Sequence, residues 1–224
     1  MSYSPLIISL KAAILSTAID FILGIYSAYL ISKSKRFKGV IDGILTLPLV
    51  LPPTVVGFFL LILLGKNSIM GKILLKFNTS IMFSRAATII SATVVSFPLM
   101  YRTARGAFEQ FDRDMIYVAR TLGLSEHEIF RKIMLPNSFS SIVAGTILTF
   151  ARALGEFGAT IMIAGNIPGK TQTMSVAIYS AVQAGNRQLA YRWVILMAAI
   201  SFFVMVLMNR FEKDKILKVG KGGV

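Results

Sequence analysis

The chain has 224 residues, of which 55% are hydrophobic and 15% charged, and its mean hydropathy is +0.70. Soluble domains carry about 25% charged residues, so this composition argues against a soluble enzyme and excludes a disordered chain. Cysteine is absent and His127 is the one histidine, which excludes a disulfide scaffold, a thiolate zinc site, a cysteine nucleophile and a multi-histidine metal site. What remains is a membrane protein with a net charge of +14.

Apolar stretches recur along the chain and predict an all-α membrane protein, a polytopic helical bundle of about five transmembrane helices. They cover residues 6–31, 44–64, 82–103, 138–163 and 190–209. The second stretch carries no charge and is long enough to cross a hydrocarbon core of about 30 Å by itself. The first contains Lys11, which is placed to snorkel to the outer interface, and Asp20, whose role stays open. No internal repeat or linker is visible, so residues 1–224 are expected to form one domain.

The distribution of lysine and arginine between the stretches predicts the orientation. The segments 32–43, 102–137 and 210–224 together hold fifteen of these cations, whereas 65–85 and 164–192 together hold seven. By the positive-inside rule the N-terminus lies outside and the C-terminus lies in the cytoplasm of a multi-pass protein of the cell (inner) membrane. The first residues carry no positive charge, so the first stretch is expected to be a retained helix and not a secretory signal.

The segment 109–136, between the third and fourth stretches, is expected to form a helical hairpin. Asp112 and Asp114 favour the start of a first helix, and Gly123 is placed to end it as a left-handed C-cap. Ser125 and Glu128 then form the capping box of a second helix. Pro136 is expected to close this second helix and to open the next span.

The charge of this hairpin distinguishes between possible partners. The segment 102–137 has six cations and five acids, so it is nearly neutral, and it is held between two spans. These features argue against nucleic-acid binding. Ile129, Phe130 and Ile133 fall on one face of the second helix, and that face either docks a partner or packs on the chain's own bundle.

The hairpin resembles the cytoplasmic loop of binding-protein-dependent ABC importer permeases. Ala119, Gly123, Ile133, Leu135 and Pro136 stand at that family's spacing, whereas Tyr117 and Val118 occupy positions where the family has glutamate and alanine. The resemblance implies that the hairpin sits in a groove of a cytoplasmic ATPase. The residues expected to carry this coupling are Ala119, Gly123, Ser125, Glu128, Phe130, Ile133, Leu135 and Pro136.

Residues 46–61 and 150–174 are similar to the membrane subunits of molybdate importers, and related sulfate and tungstate permeases share parts of both segments. This resemblance implies a non-catalytic permease for an oxyanion that works with a second copy of itself. It also implies an external oxyanion-binding protein and a cytoplasmic ATPase dimer that binds ATP and Mg²⁺, with no cofactor or metal on this chain. The alternatives are a tungstate or sulfate/thiosulfate permease, or a self-contained anion channel or secondary transporter, which often shows an internal repeat.

Two sets of residues are candidates for the translocation pathway. Pro48, Pro52 and Pro53 make an unbroken second span improbable, and the bent helix either lines a route or is only structurally kinked. Hydroxyl groups either line a path for a tetrahedral oxyanion or hydrogen-bond between helices. These hydroxyls belong to Ser91, Thr93, Ser96, Thr146 and Thr149.

Two further features lie in and after the fourth stretch. Arg152 and Glu156 are four residues apart and are expected on one helix face, as a pair near the cytoplasmic mouth or as an internal ion pair. Gly155 and Gly158 permit close helix contacts. Residues 164–171 read AGNIPGKT, but a phosphate-binding loop requires a preceding strand. This segment is instead expected to be an external loop where a substrate-binding protein docks.

Overall fold

The computed structural model describes residues 3–33 and 38–221. Lys35 and Arg36 of the predicted cytoplasmic loop, and the residues at both chain ends, lie outside the described ranges. The described residues form helices without strands, so the predicted all-α membrane bundle is confirmed. The helices are α1 (Ser4–Lys33), α2 (Lys38–Val50), α3 (Pro53–Leu64), α4 (Ile69–Lys76), α5 (Arg85–Glu109), α6 (Arg113–Thr121), α7 (Glu126–Asn137), α8 (Phe139–Leu154), α9 (Gly158–Ile163), α10 (Met174–Gln183) and α11 (Arg187–Lys221).

The predicted apolar stretches correspond to these helices with two breaks. Helices α1, α5 and α11 follow the first, third and fifth stretches. By length and composition, Ser4–Lys33 and Arg187–Met208 are each able to cross a membrane alone, and two bent helix pairs raise the total to four in the described part of the chain. Helix α5 is 25 residues long, but its hydroxyl-bearing side chains and terminal charges lower its hydropathy.

The second stretch is broken at its prolines, as predicted. Helix α2 ends at Val50, and α3 begins at Pro53 after a bend of 113°. Pro52 has φ −54° and ψ 137°, which is an extended conformation, and Pro53 occupies the first turn of α3, where a missing N–H is tolerated. Pro48 lies inside α2 without ending it.

The fourth stretch was expected to form one span, and this expectation is wrong. Helix α8 ends at Leu154, and a six-residue helix, α9, starts only at Gly158. Between them Phe157 has φ −127° and ψ −54°, and the carboxylate of Glu156 accepts a hydrogen bond from the backbone N–H of Ala159 at 2.8 Å. A side-chain acceptor therefore replaces a helical carbonyl at the start of α9, and the chain can turn there without losing that hydrogen bond.

Helices α1 and α5 form the centre of the bundle, and α8 packs on both. Gly24 of α1 permits the closest approach, since a Cβ atom built there would lie 2.8 Å from Cγ of Met100 and 3.2 Å from the backbone nitrogen of Tyr101. Small residues at such crossings are typical of membrane bundles, where packing and not water exclusion drives association. The short helix α9 packs against α3 and also contacts α5.

Helices α4 and α10 lie in segments that were expected to be external loops. Ser68 caps α4 and Thr173 caps α10, each through its hydroxyl oxygen. Helix α10 has ten residues, and its buried residues Val176 and Ala177 pack toward the bundle. Neither helix was predicted from the sequence, because both are shorter than a membrane span.

Candidate functional site

The turn of the hairpin has the predicted geometry. The side chain of Asp112 accepts a hydrogen bond from the backbone N–H of Asp114 at the start of α6. Gly123 has φ +82°, and the backbone N–H of Leu124 donates to the carbonyl of Ala119 at 3.1 Å, which closes the end of α6. The capping box between Ser125 and Glu128 is present at the start of α7. Local sequence chemistry thus determines both ends of this turn.

The second helix of the hairpin departs from the prediction at Pro136. Pro136 was expected to close this helix, but α7 continues to Asn137, and the chain bends by 72° before α8. Residues Ile129–Met134 are π-helical, and the N–H of Leu135 donates to the carbonyl of Phe130, five residues back. The Ser138 N–H donates to Met134 at 3.0 Å, so the hydrogen-bonded helix resumes directly after the proline.

The inner face of the hairpin packs on the chain's own bundle. Ala119, Ile129 and Met134 are buried in one cluster with residues of α1, α5 and α8. The ring of Phe130 lies between two aromatic rings, 4.2 Å from that of Tyr29 and 5.8 Å from that of Phe108, measured between centroids. The predicted apolar face of the second helix is therefore real, and it points toward the bundle.

A carboxylate at the start of α7 ties the hairpin to α1. Glu126 forms ion pairs with Lys33 at the end of α1 and, at 2.7 Å, with Arg120 of α6. The hydroxyl of Tyr29 also donates to the Glu126 carbonyl at 3.1 Å. The hydrogen bonds from Arg120 and Lys33 lower the pKa of Glu126 from 4.5 to about 2. Two cations from different helices thus hold one ionised carboxylate.

A second group of ion pairs lies next to this tie and joins α2 to α5. Glu109 pairs with Arg105 at 2.7 Å and with Lys38 at 2.8 Å, and Arg105 also pairs with Asp42. These side chains are half-buried, so water screens the pairs less than it would on an open surface. The hairpin therefore extends from an end of the bundle at which ion pairs join α2 to α5.

The outer face of the hairpin exposes apolar side chains whose exposure was not predicted from the sequence. Met115, Tyr117, Val118 and Leu122 are each more than half exposed, and we call them the outer apolar face. The positions 115, 118 and 122 follow helical spacing, so this signal was present in the sequence. Tyr117 and Val118, which depart from the family pattern, thus lie on the exposed side of α6.

The predicted coupling residues divide between the two faces. Ala119 is buried, and Phe130, Ile133 and Leu135 are partly buried against the cluster on the inner face. Gly123, Ser125 and Pro136 are exposed, and so is His127. Glu128 is partly exposed and pairs with Lys132 within α7. Their role in coupling stays a prediction, and the structure places half of them where they fix the hairpin to the bundle.

The predicted pathway hydroxyls form two kinds of hydrogen bond. Ser91 bonds to Thr160 of α9 at 2.8 Å, and Ser96 donates to the buried carboxylate of Asp20 at 2.5 Å. Thr146 and Thr149 donate to carbonyls of their own helix, those of Ile142 and Gly145. The hydroxyl of Thr93 is buried and has no hydrogen-bond partner among the described residues. Interhelical hydrogen bonds therefore account for two of the five hydroxyl groups, and the Thr93 hydroxyl has no partner among the described residues.

The charged pair of the fourth stretch lies at the break between α8 and α9. Arg152 and Glu156 form an ion pair at 2.7 Å, with the Glu156 side chain 2% exposed and that of Arg152 31% exposed. Gly158 lies at a tight crossing, since a Cβ atom there would be 2.9 Å from Cβ of Pro53, whereas at Gly155 the nearest atom is at 3.6 Å. The pair therefore stabilises the junction at which α9 meets α3.

The segment 164–171 follows a helix and not a strand. The N–H groups of Lys170 and Thr171 donate to the carbonyl of Ile167, and the N–H of Ile167 donates to the Thr171 hydroxyl at 3.1 Å. Amide groups that are bonded within the loop do not form an open cradle for phosphate. Asn166 further joins this loop to Ser180 of α10 at 2.7 Å.

Comparison with known proteins identifies the family. Residues 20–216 match the family described as the inner membrane component of binding-protein-dependent transport systems. The chain is 40% identical to a putative molybdenum transport system permease protein, YvgM, of Bacillus subtilis, over 93% of this chain and 92% of that protein. It is 38% identical to the molybdenum transport system permease protein ModB of Haemophilus influenzae, over 100% of this chain and 99% of that protein. For ModB of Escherichia coli K12 the identity is 38%, over 95% of this chain and 96% of that protein.

Solved structures with the same fold are also found. The inward-facing MetNI methionine ABC transporter has a chain that matches with a TM-score of 0.73 and 16% identity, over 94% of both chains. A bacterial alginate ABC transporter, in complex with a periplasmic protein bound to an alginate pentasaccharide, matches with a TM-score of 0.73 and 16% identity. That match covers 92% of this chain and 76% of the other. At these identities the likeness concerns the fold.

Proposed function

This chain belongs to the family of inner membrane components of binding-protein-dependent transport systems, and from that premise we propose that it is the permease of a molybdate importer. As a member of this family it is a multi-pass, non-catalytic transport subunit, and ATP hydrolysis belongs to a partner ATPase. The observation that supports molybdate is the similarity, over nearly the full length of both chains, to permeases named for molybdenum transport.

The anion crosses between the helices that carry the buried hydroxyls. Hydroxyl donors solvate a tetrahedral oxyanion without a fixed cation, so the anion is released easily. Thr93 is the best-placed donor of the five, because its buried hydroxyl has no protein partner in the described part of the chain. The bend after Pro48, at Pro52 and Pro53, gives the α2–α3 segment the irregular backbone that is found beside water-lined routes.

The outer apolar face of α6 docks on the ATPase, and the inner face carries its movement into the bundle. Exposed apolar side chains on a polar end of a membrane protein are typical of an interaction site. A movement of α6 reaches α1 through Glu126 and reaches α5 and α8 through the buried cluster around Ile129. ATP and Mg²⁺ bind to the ATPase, and this chain binds no cofactor of its own.

The assembly contains two copies of this chain, an ATPase dimer and an external binding protein that delivers the anion. The charge distribution supports an orientation with the N-terminus outside and the C-terminus in the cytoplasm. In this orientation the loop 164–171 and α10 lie outside, where the binding protein docks, and the hairpin lies in the cytoplasm.

Tungstate or sulfate/thiosulfate import is the alternative cargo within the same family. A self-contained anion channel or secondary transporter is the alternative outside it. The two kinds of alternative differ in whether uptake requires ATP and partner proteins.

The test is uptake into vesicles that contain this chain with its ATPase and binding protein. Radiolabelled molybdate is supplied outside, and unlabelled molybdate, tungstate or sulfate competes at equal concentration. We expect uptake that requires ATP and the binding protein and that sulfate does not inhibit. Inhibition by sulfate stronger than by molybdate would overturn the cargo, and uptake without ATP would overturn the importer.

A further inference from the structure

A groove with two cations lies between α1 and α5, at the end of the bundle opposite the hairpin. Its volume is about 210 Å³, and Lys11 of α1 and Arg85 of α5 both line it. The rest of its wall is mostly apolar and contains no acidic residue. The other lining residues are Ser4, Ile7, Ile8, Ala12, Leu15, Thr88, Ile89 and Gly169.

The packing of the two helices brings these cations to the same height. Asp20 of α1 is hydrogen-bonded to Ser96 of α5, and Gly24 lies against Met100. In both contacts the residue of α5 is 76 positions later in the chain than the residue of α1, so the two helices run parallel. The same offset sets Lys11 level with the first turn of α5, which begins at Arg85. Both cations thus lie near the polar end of their helices, on one side of the bundle.

No acidic residue in the described part of the chain compensates the charge of the groove. Neither Lys11 nor Arg85 forms an ion pair with another described residue, and both are exposed. Lys11 lies roughly 10 Å along α1 from Ser4, within the apolar part of the helix. Side chains tilt toward the N-terminus of their helix, so its ammonium group extends toward the polar end, where Arg85 stands.

The groove therefore combines an anion-binding end with an apolar wall. Ile7 and Leu15 are 48% exposed each, and they continue the groove along an exposed apolar surface of α1. A small inorganic anion would use the cations but not this wall, whereas a phospholipid has a phosphate and acyl chains that use both. A zwitterionic phospholipid brings its own cation next to the phosphate, so the two positive side chains favour an anionic one.

We propose that this groove binds an anionic phospholipid, with the phosphate between Lys11 and Arg85 and an acyl chain along Ile7 and Leu15. The site is separate from the hairpin and from the buried hydroxyls, so it goes beyond the proposed transport function. With the proposed orientation the lipid belongs to the outer leaflet. Binding itself does not depend on the cargo, on ATP or on that orientation.

The test is native mass spectrometry of the purified transporter that contains the full chain, delipidated and then titrated with phosphatidylglycerol. We expect a lipid adduct that survives gentle activation with phosphatidylglycerol and not with phosphatidylcholine. Each cation near an anionic headgroup accounts for about a fivefold change in binding, so the double variant Lys11→Gln/Arg85→Gln should bind about 25-fold more weakly.

The matched control is Lys72→Gln/Lys76→Gln, which removes two exposed cations of α4 that do not line the groove. It should bind phosphatidylglycerol like the wild type, and the charge-conserving Lys11→Arg/Arg85→Lys should also retain the lipid. Glycerol phosphate, which lacks acyl chains, should not displace the lipid at equal concentration. Equal binding by the double variant and the wild type, or full displacement by glycerol phosphate, would overturn the proposal.

Discussion

Glu126 and Gly123 show how single residues set the hairpin. Glu126 joins α1, α6 and α7 through one carboxylate, and Gly123 supplies a left-handed turn at φ +82° between α6 and α7. No atom lies within 4 Å of the position that a Cβ atom would take at Gly123. The requirement for glycine there is therefore conformational, whereas the requirement at Glu126 is electrostatic.

The tie at Glu126 depends on pH with a defined sign. Its pKa falls from 4.5 to about 2 in the folded protein, so the folded state binds this proton less readily than the unfolded chain. The tie is thus fully present above about pH 4.5 and is lost as the pH falls toward about 2.

Glu126→Gln removes the charge that holds Lys33 and Arg120, so it should loosen the hairpin at neutral pH. Spin labels on cysteines introduced at Tyr26 and Leu122 should report a broader distance distribution in Glu126→Gln than in the wild type.

The control for this prediction is Glu128→Gln. The pKa of Glu128 is also lowered to about 2, but its partners Lys132 and Ser125 lie within the hairpin. Its replacement should leave the distance between α1 and α6 unchanged. Identical distributions in the wild type and Glu126→Gln would show that this ion pair does not position the hairpin.

Gly123→Pro should abolish ATP-dependent uptake while leaving membrane insertion intact. Proline fixes φ near −65°, which is incompatible with +82°, so the turn between α6 and α7 is lost. Asparagine tolerates the left-handed region, and Gly123→Asn should retain most of the uptake. Vesicle uptake measured beside the amount of inserted protein tests this, and Gly106→Ala, in an open helical position, serves as the control. Undiminished uptake by Gly123→Pro would contradict coupling through this turn.

At the scale of elements, broken helices determine how the bundle closes. The α2–α3 bend and the gap between α8 and α9 bring α3 and α9 together beside α5. The crossing uses glycines on both sides, since a Cβ atom at Gly57 would lie 2.8 Å from Cα of Ala159, and one at Gly158 would lie 3.0 Å from the backbone nitrogen of Thr54. Backbone atoms cannot move aside as a flexible side chain can.

Gly158→Ala should therefore destabilise the protein. Overpacking of a close crossing costs about 1–3 kcal/mol. The thermal unfolding midpoint in detergent should fall, whereas Gly43→Ala, at a position of α2 with no atom within 4 Å of its Cβ site, should leave it unchanged or raise it. An unchanged midpoint for Gly158→Ala would show that α3 and α9 separate without loss.

At the scale of the whole molecule, the two ends of the bundle have different chemistry. One end carries the hairpin and the ion pairs around Glu109 and Glu126, in which each carboxylate pairs with two cations. The other end carries the loop 164–171 and the cations Lys11 and Arg85, which form no ion pair with another described residue. This asymmetry agrees with the proposed assembly, in which different partners bind the two ends of the bundle.

The proposed orientation is testable because the chain contains no cysteine. Single cysteines at the exposed positions Asn186, between α10 and α11, and His127, in the hairpin, should label differently with a membrane-impermeant maleimide. Asn186→Cys should react on intact cells with the outer membrane permeabilised, and His127→Cys only after the inner membrane is opened. The reverse pattern would invert the orientation and leave the fold unchanged.

The sequence by itself determined the features that arise from near neighbours along the chain. The break at Pro52, the left-handed Gly123 and the capping box at Ser125 were predicted because each depends on a side chain and the backbone within four residues of it. The α-helical membrane class followed from composition, and the transport family followed from short motifs at fixed spacing.

Only the tertiary structure decided which way each face points. Phe130 was placed on an apolar face, but whether that face met a partner or the bundle depended on Tyr29 and Phe108, which come from α1 and α5. The break after Leu154 was missed because it depends on the packing of α9 against α3, where a Cβ atom at Gly158 would lie 2.9 Å from Cβ of Pro53. Contacts between residues far apart in the chain leave no periodic trace in the sequence, because either partner alone is compatible with several packings.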